Sequence, residues 1–156
     1  MKIETFALER FFAKHEFSAT HLLGSSDCQS LSMQELLDMA DAETRGLWDR
    51  LRLGYTETPG HPALREAIAG LYHDTNPDDV LVTVPEEGVF LLMQALLEPG
   101  DHLVCTYPGY QSLYEVARSM GCQVSMWRPH EERGWRFDVR DLDPLLREDT
   151  RLVVVN

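Results

Sequence analysis

Lysine is nearly absent from this sequence of 156 residues, where only Lys2 and Lys14 occur among 14 basic residues. A reaction that needs a lysine in its active site could draw only on these two, both close to the N-terminus. Basic residues as a whole are outnumbered, since 26 acidic residues give a formal net charge of −12. Such a charge repels phosphate backbones and anionic lipids, so the composition argues against nucleic acid or a membrane surface as a partner.

The patterns typical of disulfides, metal sites, membrane spans and nucleotide loops are also missing. Cys28, Cys105 and Cys122 form no CxxC pair and no Cys/His pair at metal-ligand spacing, which predicts reduced thiols in a cytoplasmic protein. The longest apolar stretch, residues 88–97, is too short to span a bilayer, and acidic residues near the N-terminus argue against a signal peptide. The absence of a P-loop and of a GxGxxG motif argues against nucleotide binding.

Residues 1 to about 75 have the pattern of helices joined by irregular connectors. Apolar residues at helical spacing predict a short amphipathic helix within residues 3–15. Ser32 followed by Glu35 is a capping box that predicts the start of a second helix. Proline is favoured in the first turn of a helix, so Pro62 predicts a third. The buried face predicted for that helix consists of Leu64, Ile68 and Leu71.

From residue 76 onward, short β-branched runs alternate with helical stretches. The predicted strands are residues 80–83, 102–106, 123–127 and 151–155, and the predicted helices are residues 86–97, 110–120 and 141–147. Alternating strands and helices form right-handed crossover units around a parallel sheet that is covered on both faces. The sequence therefore predicts an α/β fold of three layers, with a mainly parallel sheet flanked by helices. Because no helix follows the last strand, we expect the chain to continue beyond Asn156.

Candidate functional residues lie where the predicted strands end, because ligands of open parallel sheets bind beyond the carboxyl ends of the strands. The Pro108-Gly109 turn places Tyr110 at the start of a helix, where its ring could stack on a planar heteroaromatic ligand or pack beneath its own helix. Glu86 and Glu87 lie at a helix N-terminus, whose free N–H groups suit an anion. The two carboxylates could equally serve only to stabilise that first turn.

Three other residues have simpler interpretations. Tyr55 lies in the turn-rich segment 53–61, where it could be a phenol presented on a loop or a hydrogen-bonded core tyrosine. His102 follows a Gly-Asp turn and is predicted to be a loop histidine, and Cys105 lies within a strand and is predicted to be structural.

The sequence resembles the class I/II aminotransferases, which are fold-type-I enzymes dependent on pyridoxal 5'-phosphate. Four segments match in the family's order and separation, namely LGYTETPGHPALREAIAGLY, DDVLVTVPEEG, LLEPGDHLVCTYPGYQSLYEVARSMGCQV and RLVVVN. The resemblance implies that residues 51–156 form the first half of the cofactor-binding major domain, and that the remainder of that domain lies outside this sequence. Residues 1–50 would form the N-terminal arm and helices on the small-domain side.

The resemblance also implies roles for single residues. Tyr110 matches the aromatic residue that stacks on the pyridine ring of the cofactor. The N–H groups of Glu86 and Glu87, after Pro85, match the turn that holds the cofactor phosphate, although this sequence departs from the family's commoner Gly/Ser-rich pattern there. Tyr55 matches the tyrosine that reaches across a homodimer interface to the partner's cofactor phosphate.

Residues 24–26, with Gly24 and Ser25, correspond to the loop that contacts the substrate carboxylate. The implied activity is exchange of an amino group between an amino acid and a 2-oxo acid, carried out by a cytoplasmic homodimer. The family's Schiff-base lysine, pyridine-binding aspartate and carboxylate-binding arginine all follow the matched region, and neither Lys2 nor Lys14 corresponds to that lysine. We therefore expect this stretch alone to be inactive.

Three alternatives remain open at this point. One is a pyridoxal-phosphate-dependent lyase or decarboxylase of the same fold, and another is a non-catalytic binding or assembly module. The third is a flavodoxin-like binding domain. We also expect the last strand to expose an edge that could recruit another chain.

Overall fold

Three of the four predicted strands are present in the computed structural model, which describes residues 2–156. They are β1 (His102–Thr106), β2 (Gln123–Trp127) and β3 (Thr150–Val154). All pairings are parallel, and the order β2-β1-β3 puts β1 in the centre and β3 at an edge. The predicted α/β fold with a parallel sheet is therefore confirmed, with two strands matching residue for residue.

The prediction of a strand at residues 80–83 is wrong. These residues lie outside the sheet. The Val82 N–H donates to the Pro59 carbonyl at 2.9 Å, and the Val80 carbonyl accepts from the Arg65 guanidinium at 3.0 Å. A β-branched run becomes a strand only where neighbouring backbone groups pair along it. Residues 80–83 have no such pairing with any strand in residues 2–156, so no strand forms there.

The core lies between β1 and two helices, α5 (Pro85–Leu96) and α6 (Ser112–Ser119). All five residues of β1 are buried, as expected for a central strand covered on both faces. One face of β1 contributes Leu103 and Cys105 to a buried apolar cluster with side chains of α5, α6 and their flanking residues. The other members are Met93, Leu97, Val116, Ala117 and Cys122.

His102 is buried in the sheet, so the prediction of a loop histidine is wrong. Its side chain is 0% exposed, and its ring nitrogens lie 2.7 Å from Thr150 Oγ1 on β3 and 2.9 Å from Ser125 Oγ on β2. A buried imidazole needs hydrogen-bond partners for both nitrogens, and the two neighbouring strands supply one each. His102 therefore links all three strands.

Acidification below about pH 6.5 is expected to lower the free energy of unfolding through His102. Burial, followed by the positive charge of Arg147, lowers the pKa of this imidazole from its usual 6.5, while Asp149 opposes the shift. On acidification, the imidazole therefore takes up its proton in the unfolded chain before it does so in the folded chain. The folded state keeps its full stability above pH 6.5 and loses stability as the pH falls from 6.5 towards the pKa of the folded state. The loss is at most about 1.4 kcal/mol per pH unit.

Urea unfolding at about pH 7.5 and about pH 5.5 measures this loss. The His102→Gln variant should lose less stability between the two conditions, because glutamine does not titrate. An equal loss in both proteins would rule out His102 as the source.

The N-terminal helices begin largely where local signals place them. They are α1 (Ala7–His15), α2 (Met33–Met39), α3 (Ala42–Asp49) and α4 (Pro62–Ala69). The predicted capping box of α2 is confirmed, since Ser32 Oγ accepts from Glu35 N–H and the Glu35 carboxylate accepts from Ser32 N–H. Among the described helices, none is both long enough and apolar enough to cross a bilayer.

Two helix predictions need correction. The expected buried face of α4 is only partly present, because Ile68 is half-buried but Leu64 and Leu71 are 47% and 79% exposed, and Ala69 is the buried residue of this helix. The helix predicted at residues 141–147 is replaced by two short 3-10 turns, Val139–Asp141 and Asp143–Leu145. Pro144 lies in the second turn, where it lacks an N–H donor and disfavours a helical residue before it, so a longer helix does not form.

The chain divides into two compact units. The first consists of the residues up to Ser18 together with Thr83–Asn156, and the second is Ala19–Val82. In the second unit, Arg65 on α4 connects to residues 78–80, since its guanidinium donates to the Val80 carbonyl and to Asp78, both at 3.0 Å. Gly60 has a φ of +112°, and a Cβ there would lie 2.6 Å from the Val82 side chain. Only glycine fits this close approach without strain.

Candidate functional site

The carboxyl ends of β1 and β3 are joined through Asn156. The backbone N–H of Asn156 donates to Thr106 Oγ1 at 2.9 Å, and its side-chain Oδ1 accepts from the backbone N–H of Tyr110 at 3.3 Å. A Cβ on Gly109 would lie 3.0 Å from the Thr106 carbonyl oxygen and 3.5 Å from Asn156 Oδ1. The absence of a side chain at residue 109 therefore lets the loop after β1 close tightly against the end of β3.

Tyr110 follows this loop, just before α6, and is half-buried. Its phenol donates to Glu9 Oε1 on α1 at 2.7 Å. This hydrogen bond is the main cause that raises the pKa of Tyr110 to about 12, and burial and the negative charges of Glu9 and Glu86 act in the same direction. The phenol is therefore neutral at physiological pH and bears no negative charge.

The first turn of α5 presents uncapped backbone donors. Pro85 occupies the first helical positions, and Val84 at the N-cap offers no side-chain hydrogen bond to the N–H groups that follow. The side chains of Glu86 and Glu87 in this turn are exposed. A helix N-terminus of this kind favours an anion, through both its unpaired N–H groups and the helix dipole.

The first turn of α5 belongs to the same edge of the sheet as Tyr110. At the other end of α5, Leu97 is buried in the core close in sequence to the start of β1, so α5 runs back from the carboxyl edge of the strands. The charge of Glu86 is also close enough to raise the pKa of Tyr110. An aromatic ring and an anion-binding helix end thus lie at one edge, as in ligand sites of parallel sheets.

Two buried polar atoms have no hydrogen-bond partner among the residues that the structure describes. They are Ser112 Oγ, two residues beyond Tyr110, and Trp127 Nε1, at the end of β2. Buried polar groups are normally paired, and both of these atoms belong to residues close to the carboxyl ends of β1 and β2. The ring of Tyr110 and the α5 donors suit a planar heteroaromatic phosphate ester.

The other predicted site residues belong to the Ala19–Val82 unit. Tyr55 is fully exposed and lies outside any helix or strand. Gly24 is exposed with open space around it, and Ser25 is half-buried. Their roles towards cofactor and substrate stay predictions.

Sequence reasoning missed three residues at this edge, namely Glu9, Gln111 and Asn156. The position of Asn156 immediately after a predicted strand was a usable indication, because that is where ligand-edge residues lie. No such indication pointed to Glu9, because its partner Tyr110 lies 101 positions away in the sequence.

Comparisons with known proteins agree with this geometry. The family model described as aminotransferase class I and II matches residues 20–156. Tyrosine aminotransferase from Mus musculus is 28% identical over 123 residues, which cover 76% of this chain and 26% of that protein. Capreomycidine synthase from Streptomyces vinaceus is 34% identical over 153 residues, which cover 96% of this chain and 39% of that protein.

A solved structure of a PLP-dependent aminotransferase from Streptococcus suis 89-1591 superposes with a TM-score of 0.83 at 33% identity. The match covers 98% of this chain and 42% of that one. The PLP-dependent cyclase OrfR gives a TM-score of 0.81 at 29% identity and covers 100% of this chain and 41% of that one. The chain thus spans less than half the length of these proteins.

Proposed function

The chain belongs to the class I and II aminotransferase family, and from this premise we propose that the protein carrying it transfers an amino group between an amino acid and a 2-oxo acid with pyridoxal 5'-phosphate. The observation that supports the proposal most is the shared position of Tyr110 and the first turn of α5 at the carboxyl edge of a parallel sheet. The family match over residues 20–156 includes both.

Tyr110 and the α5 donors would hold the cofactor. The ring of Tyr110 offers a flat face for stacking on the pyridine, and its neutral phenol adds no charge that would repel the phosphate. The N–H groups of Glu86 and Glu87 would bind the phosphate, with their exposed carboxylates directed into solvent, where water screens repulsion. When bound, the cofactor supplies an electron sink for negative charge at the substrate's α-carbon.

Asn156 contributes by fixing the loop that carries Tyr110. Its Oδ1 holds the backbone N–H of Tyr110, and its own N–H is anchored on Thr106, which is 1% exposed. The stacking residue is thereby attached to the rigid end of the central strand. Precise positioning of this kind lowers the entropy lost on binding and keeps reacting atoms aligned.

We also propose the remaining roles that the resemblance implies. The full exposure of Tyr55 leaves its phenol available to the cofactor phosphate of a partner subunit, which supports a homodimer. The open loop at Gly24 and Ser25 is assigned to the substrate carboxylate. The assignment of residues 1–50 to the small-domain side and of residues 51–156 to the major domain is part of the same proposal, as is a cytoplasmic location.

Amino transfer can be tested directly on the intact protein. Purified protein loaded with pyridoxal phosphate is mixed with a panel of nitrogen-15-labelled amino acids and unlabelled 2-oxo acids, and the label is followed by mass spectrometry. We expect the label to appear in the amino acid formed from the 2-oxo acid. Cofactor binding without transfer for any pair would contradict aminotransferase activity, and absence of cofactor binding would contradict the proposed site.

A cyclase is the second candidate, because the PLP-dependent cyclase OrfR is among the matches that cover nearly the whole chain. A cyclase would convert an amino acid to a ring product that keeps all of its nitrogen. The same labelling experiment separates the two functions, since cyclisation leaves the label in the product of the donor and needs no 2-oxo acid.

A further inference from the structure

The segment that contains α1 is tied to the two residues that follow the Pro108-Gly109 turn. We call residues 5–15 the α1 segment. Glu9 accepts the phenol hydrogen of Tyr110 at 2.7 Å. The side chain of Gln111 makes two further bonds, accepting from Ala7 N–H at 2.8 Å and donating to the Thr5 carbonyl at 3.2 Å. Three hydrogen bonds thus join parts of the chain about a hundred residues apart.

Gln111 fixes where α1 begins. Phe6 at the N-cap provides no side-chain cap, so the first N–H of the helix would lack a partner without Gln111. The amide of Gln111 supplies that cap from outside the helix. Since Glu9 lies in the first turn of α1, the position of Gln111 also determines where the Glu9 carboxylate lies.

Tyr110 is consequently held at both ends. Asn156 binds its backbone N–H, and Glu9 binds its phenol at the far end of the ring. A tyrosine ring rotates over a broad range about its own axis and is otherwise fixed only by packing. The para oxygen lies on this axis, but the phenol O–H prefers the plane of the ring, so a hydrogen bond to a fixed acceptor favours the ring orientation that points the O–H at it. Hydrogen bonds to a charged acceptor are stronger than neutral ones.

We propose that Glu9 is a positioning residue of the cofactor site, which fixes through the phenol of Tyr110 the plane on which the cofactor's pyridine stacks. This inference rests on the proposed function of Tyr110 as the stacking residue. It assigns to the α1 segment a role in cofactor binding through a contact that only the fold creates. The shift in the pKa of Tyr110, caused chiefly by this hydrogen bond, agrees with a close contact.

The test uses the intact protein with the variants Glu9→Ala, Glu9→Gln and Tyr110→Phe. Glu16→Ala is the matched control, because Glu16 is the C-cap residue of α1, directly after the α1 segment, and its side chain is exposed. Two quantities are measured, the Kd for pyridoxal phosphate and the visible circular dichroism of the bound cofactor. The second reports how the cofactor ring is oriented and does not depend on activity.

Glu9→Ala should weaken cofactor binding about three- to tenfold. This is less than a buried bond to a charged group would give, because the pair is partly solvated. Glu9→Ala should also reduce the circular dichroism band. Glu9→Gln should restore both quantities to within about twofold, because an amide oxygen still accepts from the phenol. In the Tyr110→Phe background, Glu9→Ala should have no further effect, since the bond is already lost. Glu16→Ala should behave as the unchanged protein.

The inference would be overturned if Glu9→Ala left both the Kd and the circular dichroism band unchanged. It would also be overturned if Glu9→Ala weakened cofactor binding as much in the Tyr110→Phe background as in the unchanged protein. Both results would leave the proposed function in place. If Glu16→Ala weakened cofactor binding as much as Glu9→Ala, the effect would come from the loss of a negative charge alone, and the inference would also be overturned. If the unchanged intact protein binds no pyridoxal phosphate, the proposed function fails and the inference fails with it.

Discussion

Replacing Leu103 by alanine is expected to lower the free energy of unfolding by about 2–5 kcal/mol. Leu103 is 0% exposed in the middle of the central strand and belongs to the cluster formed with α5 and α6. The substitution removes apolar contacts and leaves a cavity that flanking strands on both sides prevent from closing. Equilibrium unfolding in urea measures the change.

Leu23→Ala is the matched control for this prediction. Leu23 is 95% exposed, so its truncation should change the free energy of unfolding by no more than about 0.5 kcal/mol. A loss below about 1 kcal/mol for Leu103→Ala would mean that β1 is not the centre of the core, because smaller costs are typical of surface positions.

Replacing Tyr110 by alanine is expected to weaken pyridoxal phosphate binding by the intact protein about ten- to hundredfold. Aromatic stacking on a planar ring contributes about 1–3 kcal/mol by alanine substitution, and each 1.4 kcal/mol is about a factor of ten in Kd. Tyr110→Phe keeps the ring and loses only the bond to Glu9, so its cofactor affinity should lie between that of the unchanged protein and that of Tyr110→Ala. Fluorescence or absorbance titration with the cofactor measures all three.

Tyr72→Ala provides the control for aromatic truncation, because Tyr72 is 66% exposed and belongs to the Ala19–Val82 unit. Its cofactor affinity should equal that of the unchanged protein. If Tyr110→Ala also binds cofactor with unchanged affinity, Tyr110 packs beside its own helix without contacting the cofactor, and the stacking role is wrong.

Residue pattern alone was sufficient for much of the fold. The strands at 102–106 and 123–127 were predicted without error, because each is a short run that begins two residues after a glycine marking the end of a helical stretch. The capping box at Ser32 and Glu35 was also predicted correctly, because both partners lie within one helical turn of each other in the sequence. The family, and with it the cofactor class, followed from motifs that keep their order and separation.

Predictions failed where the outcome depends on a distant neighbour. Residues 80–83 have the composition of a strand but pair with no neighbouring strand. His102 follows a Gly-Asp turn in the sequence, and only the fold brings hydroxyl groups from two other strands to its ring. Propensity measures what a segment can form in isolation. Whether it forms depends on partners that spacing in the sequence does not reveal.

The sequence by itself determined the α/β class, the parallel sheet, the family and the position of Tyr110 where a strand passes into a helix, because each is encoded in residues close together in the chain. The tertiary structure alone decided that Tyr110 is held by Glu9 and Asn156, that Gln111 caps α1, and that His102 links three strands. These contacts join residues tens to about a hundred positions apart. They form only because burial of the apolar cluster around β1 brings these segments together. No local sequence pattern predicts contacts between segments so far apart.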